Sequence, residues 1–320
     1  MPQASSDMPD IDISVVVPVY KEETSIGPFL ERTVAVMQAA GFSYEVVFTL
    51  DPSPDRTQEV IQQAINSNPH IRLVVFSRRF GQPAATMAGI LLCRGRTCVV
   101  IDVDLQDPPE LIPAMHEKLH ATGSEVIYAQ RLSRQGETLV KRLVSFLGYA
   151  VINRMSDVRI PRNTGDFRLM TRRVIEELRG LNESHGFLRG LVAYVGFKQD
   201  FVTYNRDARF AGTGNYNRLF GSLKIGINGL VSFSSRPLQT MSFAGFALAC
   251  MSFLLGGWYV LQKLLGFDLT PGLSTTVLLI SFFAGVQLLA LGLLGEYVGR
   301  IYDEVKRRPL FIIDKTYNLD

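Results

Sequence analysis

The sequence predicts an α/β domain on a mainly parallel sheet, followed by two membrane-spanning helices. Three observations lead there. Strand and helix signals alternate through the first two hundred residues, acidic turns follow several of the strands, and two long uncharged apolar runs lie late in the 320-residue chain.

Taken in order, "ISVVVPVY" (13–20) is a continuous β-branched run and reads as a strand. Thr24 and Ser25 are candidate caps for a helix reaching about Ala40, and "YEVVFTL" (44–50) is the second strand. The turn "DPSPD" leads to a helix near Thr57 to Asn66, then "IRLVVFS" reads as a strand, Ala84 to Arg94 as a helix and "TCVVIDV" (97–103) as a fourth strand. Buried βαβ units of this kind place ligands beyond the carboxyl ends of the strands. Pro18 to Glu22, Asp51 to Asp55 and Asp102 to Asp107 all fall there, so three separate segments are expected around one crevice.

Leu238 to Leu261 is 24 residues without a charge and Leu273 to Leu294 is 22 more; each is long enough for a hydrocarbon layer of about 30 Å. A pair of buried core helices is the bland alternative, but such runs are rare in soluble cores. Arg218, Lys224 and Arg236 precede the first run and Arg300, Lys306, Arg307 and Arg308 follow the second, which predicts cytoplasmic termini. The opening "MPQASSDMPDIDIS" has acids, no Lys or Arg and no apolar block, unlike a secretory signal. Between residue 209 and the first run, apolar residues interleave with Gly, Asn and cations, as in an amphipathic segment at a membrane interface, although an ordinary linker helix has the same texture. The expected divisions are a cytoplasmic catalytic domain at 1–210, an interfacial segment at 211–236, a transmembrane hairpin at 237–298 and a cytoplasmic tail at 299–320.

Composition bounds the rest. Apolar residues at 47% supply a core, and three cysteines without Cys-x-x-Cys spacing suit a reducing compartment. A net charge of +3 argues against nucleic acid as a partner.

Two metal motifs share one stretch, "VVIDVDLQDPPELIPAMHEKLH". His116 to His120 matches His-Glu-x-x-His, but a zinc site needs a third ligand and no flanking signal supplies one. Leu111, Met115 and Leu119 form the buried stripe of that helix, which sends both histidines to its solvated flank. "DVDLQD" instead sets three carboxylates and an amide just after a buried strand, with Asp102, Asp104 and Gln106 alternating toward one side. Hard oxygen ligands suit Mg²⁺ or Mn²⁺ with diphosphate oxygens completing the shell, so a nucleotide is expected. Asp107, before Pro108-Pro109-Glu110, reads as a helix cap.

Together "VVVPVYKEE", "LDPSPDRT", "DVDLQDPPELIP", "GDFRLMTRRV" and "GLLGEYVGRIYDEVKRRP" resemble the polyprenyl-phosphate glycosyltransferases, in the inverting glycosyltransferase family 2 with the GT-A fold. Within that group the likeness is to bactoprenol glucosyltransferases, which are similar to dolichyl-phosphate mannose synthases with added helices. The resemblance implies a metal-dependent hexosyltransferase that moves a sugar, with glucose the best guess, from a UDP-sugar to undecaprenyl or another polyprenyl phosphate at a bacterial inner membrane. It assigns Asp51 to the uracil imide, Pro18 and Tyr20 to the floor beneath the base, and Asp102 to ribose and diphosphate, with Glu22 completing Pro-x-Tyr-x-Glu. Asp104 and Gln106 match metal ligands, Asp166 a catalytic position with Arg168 beside it, and Arg131, Lys141 and Ser145 the lipid-phosphate pocket. A homo-oligomer is the expected assembly. The pattern is broken where Leu50-Asp51-Pro52-Ser53 stands for the usual Asp-Asp-Gly-Ser.

GDP-mannose and a UDP-aminopentose are alternative donors. A processive synthase would carry Gln-x-x-Arg-Trp, yet the single tryptophan, Trp258, lies in the first apolar run. A zinc protease built on "HEKLH" and a non-catalytic carrier-binding or flipping protein are the rivals from other classes.

Overall fold

The computed structural model describes residues 11–132, 164–181, 183, 188–205, 234–266 and 272–319. Among them, eight strands form one sheet: β1 (Ile13–Val19), β2 (Tyr44–Leu50), β3 (Ile71–Phe76), β4 (Thr97–Val100), β5 (Val126–Arg131), β6 (Thr164–Thr171), β7 (Gln199–Tyr204) and β8 (Ile313–Tyr317). Their order is β7-β5-β6-β4-β1-β2-β3-β8. Every residue of β1 and β2 is buried, Ser14 and Glu45 included, as central strands are when helices cover both sheet faces.

Strands β1 to β4 are parallel to their neighbours within that set. The order reverses at β1, which lies between β2 and β4, so a crevice opens at the carboxyl ends of these strands. Pro18 can occupy this central strand because its nitrogen points to the β4 side, where pairing has already ended at Val16↔Val100. Helices α1 (Ile26–Ala39), α2 (Thr57–Ser67), α3 (Gln82–Leu92) and α4 (Ile112–Thr122) connect or cover these strands. Helix α3 presses closest: a Cβ on Gly89 would sit 2.2 Å from Val16 Cγ1, so only glycine allows this approach.

Beyond β4 the direction changes. β6 runs antiparallel to both β4 and β5, with Val100 opposite Arg168 and Gln130 opposite Thr164. The beginning of β6 is thereby set beside the end of β4, which brings Asp166 to the crevice. Two short helices, α5 (Arg172–Gly180) and α6 (Leu188–Val195), follow, and β7 returns parallel to β5.

Two expectations need correction. β4 stops at Val100, three residues before the predicted end, and 103–107 turn instead of extending, with Leu105 at φ 58. Strand alternation therefore does not orient Asp102, Asp104 and Gln106. Ser25 holds the cap position of α1, yet its hydroxyl donates to Glu22 Oε2 at 2.9 Å and caps nothing.

Helices α7 (Arg236–Leu264) and α8 (Leu273–Lys306) are both long and apolar enough to cross a membrane, with mean hydropathy 1.7 and 1.8 over their apolar spans and none of either buried. Helix α8 continues past the apolar run to Lys306, and an Arg300–Glu296 pair at 3.0 Å spans one turn of this polar extension. Tyr297 donates to the Ser234 carbonyl at 2.7 Å and ties α8 to the residues just before α7. The following segment, expected as a tail, returns to the sheet: β8 pairs antiparallel with β3. Asn318 donates to the carbonyls of Pro69 and Ile71, at 2.6 and 2.9 Å. Most of the expected interfacial segment lies outside the described residues.

Candidate functional site

The crevice has a wall of carboxylates and a wall of guanidinium groups. On the first wall, the loops after β1 and β2 are laced together: Lys21 N–H donates to Ser53 Oγ and Glu22 N–H to Thr57 Oγ1, each at 2.9 Å. Asp55 gathers Ser53 Oγ at 2.6 Å and Thr57 Oγ1 at 2.7 Å. Burial would raise its carboxyl, but these donors outweigh it and hold it below the usual range. The acidic turn visible in the sequence thus serves to shape a loop.

Asp51 is 3% exposed and accepts from Phe80 N–H and Gly81 N–H, each at 2.8 Å. Its two oxygens clamp the turn into α3, where Gly81 takes φ 92, a conformation open to glycine. An ionised carboxylate has about four lone-pair sites, so a base imide would use what this clamp leaves. Tyr20 is half-buried, and Arg79 lies 4.1 Å from its ring centroid with Lys21 at 5.5 Å. Arg79 was not foreseen, since nothing in sequence spacing signals a contact between the ends of β1 and β3.

Asp102 accepts from Gln82 Nε2 at 2.9 Å, at the start of α3. Asp104 is 5% exposed, and its Oδ1 accepts from Gln106 N–H at 3.2 Å, which closes the turn that Leu105 requires. The loop is fixed further on by Arg32, whose Nε and Nη2 reach Glu110 at 2.9 and 2.8 Å. No cluster of three or more His, Cys, Asp or Glu able to hold a metal is present among the described residues. The oxygen donors of Asp104 and Gln106 fit a hard divalent cation that takes most of its shell from a ligand's phosphates, and not a closed protein cage.

The second wall centres on Asp166. Its Oδ1 meets Arg189 Nε at 3.1 Å and Arg168 Nη2 at 3.2 Å. Burial works to raise the Asp166 carboxyl, but Arg189 and Arg168, with Arg131 beyond them, hold it below its ordinary range. It is therefore ionised and a poor proton acceptor at neutral pH. Arg168 is 0% exposed, sits 5.4 Å from the centroid of Tyr128, and also donates to the Gly165 carbonyl. Arg131 Nη2 lies 3.6 Å from Asp107 Oδ1, and Tyr204 donates to the same oxygen. Asp107 is thus no helix cap: it is 2% exposed and faces β5 and β7, while the next helical turn starts at Pro109 without it.

The structure brings together Pro18, Tyr20, Glu22, Asp51, Asp102, Asp104 and Gln106 at the strand ends, and Arg131, Asp166 and Arg168 at the β5–β6 side. Lys141 and Ser145 lie outside the described residues. Arg189 and Tyr204 were missed; each comes from an element far along the chain with no motif of its own. The histidine motif stands apart. His120 is exposed, but His116 is half-buried with its ring 4.8 Å from Phe42, so only one of the pair lies on the solvated flank. Burial first, and then the neighbouring His120, lower the His116 pKa against the pull of Asp12.

A mixed, mostly parallel sheet that reverses at β1, with an acidic loop after β4 and an antiparallel strand bringing Asp166 beside it, defines a transferase domain of the GT-A type. The chain belongs to glycosyl transferase family 2, whose profile matches residues 14–179. It is 43% identical over 310 residues to an uncharacterized glycosyltransferase, YkcC, of Bacillus subtilis, covering 97% of this chain and 95% of that one. It is 37% identical to the SfII prophage-derived bactoprenol glucosyl transferase of Shigella flexneri, over 95% of this chain and 98% of that protein. Among solved structures, a Pyrobaculum calidifontis mannosyltransferase in complex with GDP-Man and Mn²⁺ aligns with 96% of this chain and 90% of its own, at TM-score 0.46 and 15% identity.

Proposed function

We propose that the protein transfers a sugar, glucose first among the candidates, from a UDP-sugar to a polyprenyl phosphate, with inversion at the anomeric carbon and release of UDP. The observation that carries this reading is the approach of a β5 guanidinium to the acidic loop after β4, with Arg131 Nη2 3.6 Å from Asp107 Oδ1; it supports a cation-bound diphosphate on the loop side and a second phosphate at Arg131. The 37% identical bactoprenol glucosyl transferase supports the acceptor class, and the two apolar helices supply a means of staying beside a lipid carrier.

In this reading Pro18 and Tyr20 support the base, Asp51 accepts from it, and Asp102 with Glu22 serves the ribose and diphosphate. Asp104 and Gln106 hold Mg²⁺ or Mn²⁺, which when bound neutralises charge on the leaving diphosphate. Arg131, with Lys141 and Ser145, receives the acceptor phosphate. A phosphomonoester has a second pKa of about 6, so it arrives largely ionised and needs little help from a base. Asp166 then acts by orienting Arg168 and Arg189, as its lowered pKa favours. The catalytic domain and both termini are assigned to the cytoplasm, and self-association is the proposed assembly.

The test is transfer of label from a panel of UDP- and GDP-sugars to undecaprenyl phosphate by the purified full chain with Mg²⁺ or Mn²⁺. Lipid-linked label from one UDP-sugar is expected; none from any donor overturns the proposal.

A further inference from the structure

We infer that Tyr204 and Asp107 are positioning residues for Arg131, a buried bracket that keeps its guanidinium from closing on Asp107 and directs it over Gly165 toward the acceptor phosphate. The inference rests on the phosphate-acceptor reading above.

The geometry is that of a spacer. Tyr204 is 6% exposed, donates its hydroxyl hydrogen to Asp107 Oδ1 and accepts from Arg131 Nε at 3.2 Å. With the hydroxyl between them, Arg131 Nη2 stays 3.6 Å from Asp107 Oδ1, against about 2.7–2.9 Å for a closed charge-assisted pair. The Tyr204 ring packs on Phe167 at 6.2 Å between centroids, which fixes the hydroxyl in place. Burial, then the Asp107 charge, push the Tyr204 pKa up to about 12, so the donor persists at any working pH.

On its far side the guanidinium passes over a glycine. A Cβ on Gly165 would lie 2.9 Å from Arg131 Nη2, the mobile end of a side chain, so an added methyl would move Arg131 and leave the backbone alone. Asp166 is the next residue, and Arg131 contributes to holding its carboxyl ionised. One guanidinium therefore spans the metal loop and the Asp166 cluster, and the bracket decides where it points. Asp107, buried without this spacer, would draw the cation in and away from a ligand.

The experiment is a double-mutant cycle on the purified full chain, with Tyr204→Phe, Arg131→Gln and both together. Tyr204→Phe is expected to raise the acceptor KM roughly tenfold with donor KM unchanged, and to add little in the Arg131→Gln background. Additive effects, or equal rises in donor and acceptor KM, overturn the bracket. Gly165→Ala should give the same acceptor-selective defect at unchanged Tm; a normal acceptor KM there counts against it. Binding of decyl phosphate, followed by phosphorus NMR without donor, separates the two readings. Persistent coupling in binding by an enzyme that transfers no sugar to lipid keeps the bracket and sinks the reaction. Absence of coupling in binding sinks the bracket.

Discussion

The two walls of the crevice are built by different physics. On the carboxylate wall, Asp51 and Asp104 are held by backbone N–H groups, at 2.8 Å for Asp51 and 3.2 Å for Asp104, within turns that follow parallel strands. On the guanidinium wall, Asp166 is held by the side chains of Arg168 and Arg189, which come from β6 and α6. Backbone donors cannot leave, so the first wall is preorganised by the fold itself. The second depends on mutual charge balance, and losing one member exposes the others to an uncompensated buried charge.

That contrast can be broken, and the largest effect should come from Asp104→Ala. It is expected to abolish sugar transfer in a metal-supplemented assay, while stability falls by the cost of the one Gln106 N–H left unsatisfied, about 1–3 kcal/mol; normal turnover would end the metal assignment. Next in size is Asp166→Asn. Arg168 has 0% exposure, so removing its counter-charge should lower stability by about 3 kcal/mol, read by urea unfolding, along with turnover. The same variant tests a pH effect. The Asp166 carboxyl lies below its ordinary value of 3.8, so its contribution is complete above that pH and is lost as pH falls through the folded pKa. Wild type should show a steeper loss of stability below about pH 4 than Asp166→Asn.

A smaller loss of turnover is expected from the other carboxylate of the first wall. Asp51→Ala frees the Phe80 and Gly81 N–H groups, at a cost of about 1–3 kcal/mol for each left unsatisfied, and should weaken UDP binding in calorimetry. If stability falls and UDP binding does not, Asp51 is a clamp alone. The smallest change should follow His116→Gln with His120→Gln, for which near wild-type transfer is expected, and a zinc requirement lost in that variant would revive the histidine motif.

Legibility followed the same division. Strands β1 to β4 were readable because each is a local apolar run, and the carboxylates after them because parallel strands put ligands at their ends. The end of β4 was misread, since "TCVVIDV" is uniformly strand-like and only the turn at Leu105 reveals where pairing stops. Asp107 read as a cap because Pro108-Pro109 follows it, while its partners Arg131 and Tyr204 lie on other strands. Arg189 had no signature at all: its role exists only through its approach to Asp166 in space. Local chemistry is written in neighbouring residues, whereas an ion-pair network is written in the topology.

The return of β8 to β3 has a last consequence, for how the molecule is made and held. β8 comes after both apolar helices in the chain, so the sheet gains its edge only once the hairpin has been synthesised. The apolar helices thus lie between β7 and β8 in the chain, with both of their flanking strands in the one sheet. The short strand therefore gives the sheet a second connection to the apolar helices, one that is also hydrogen-bonded into its edge along β3.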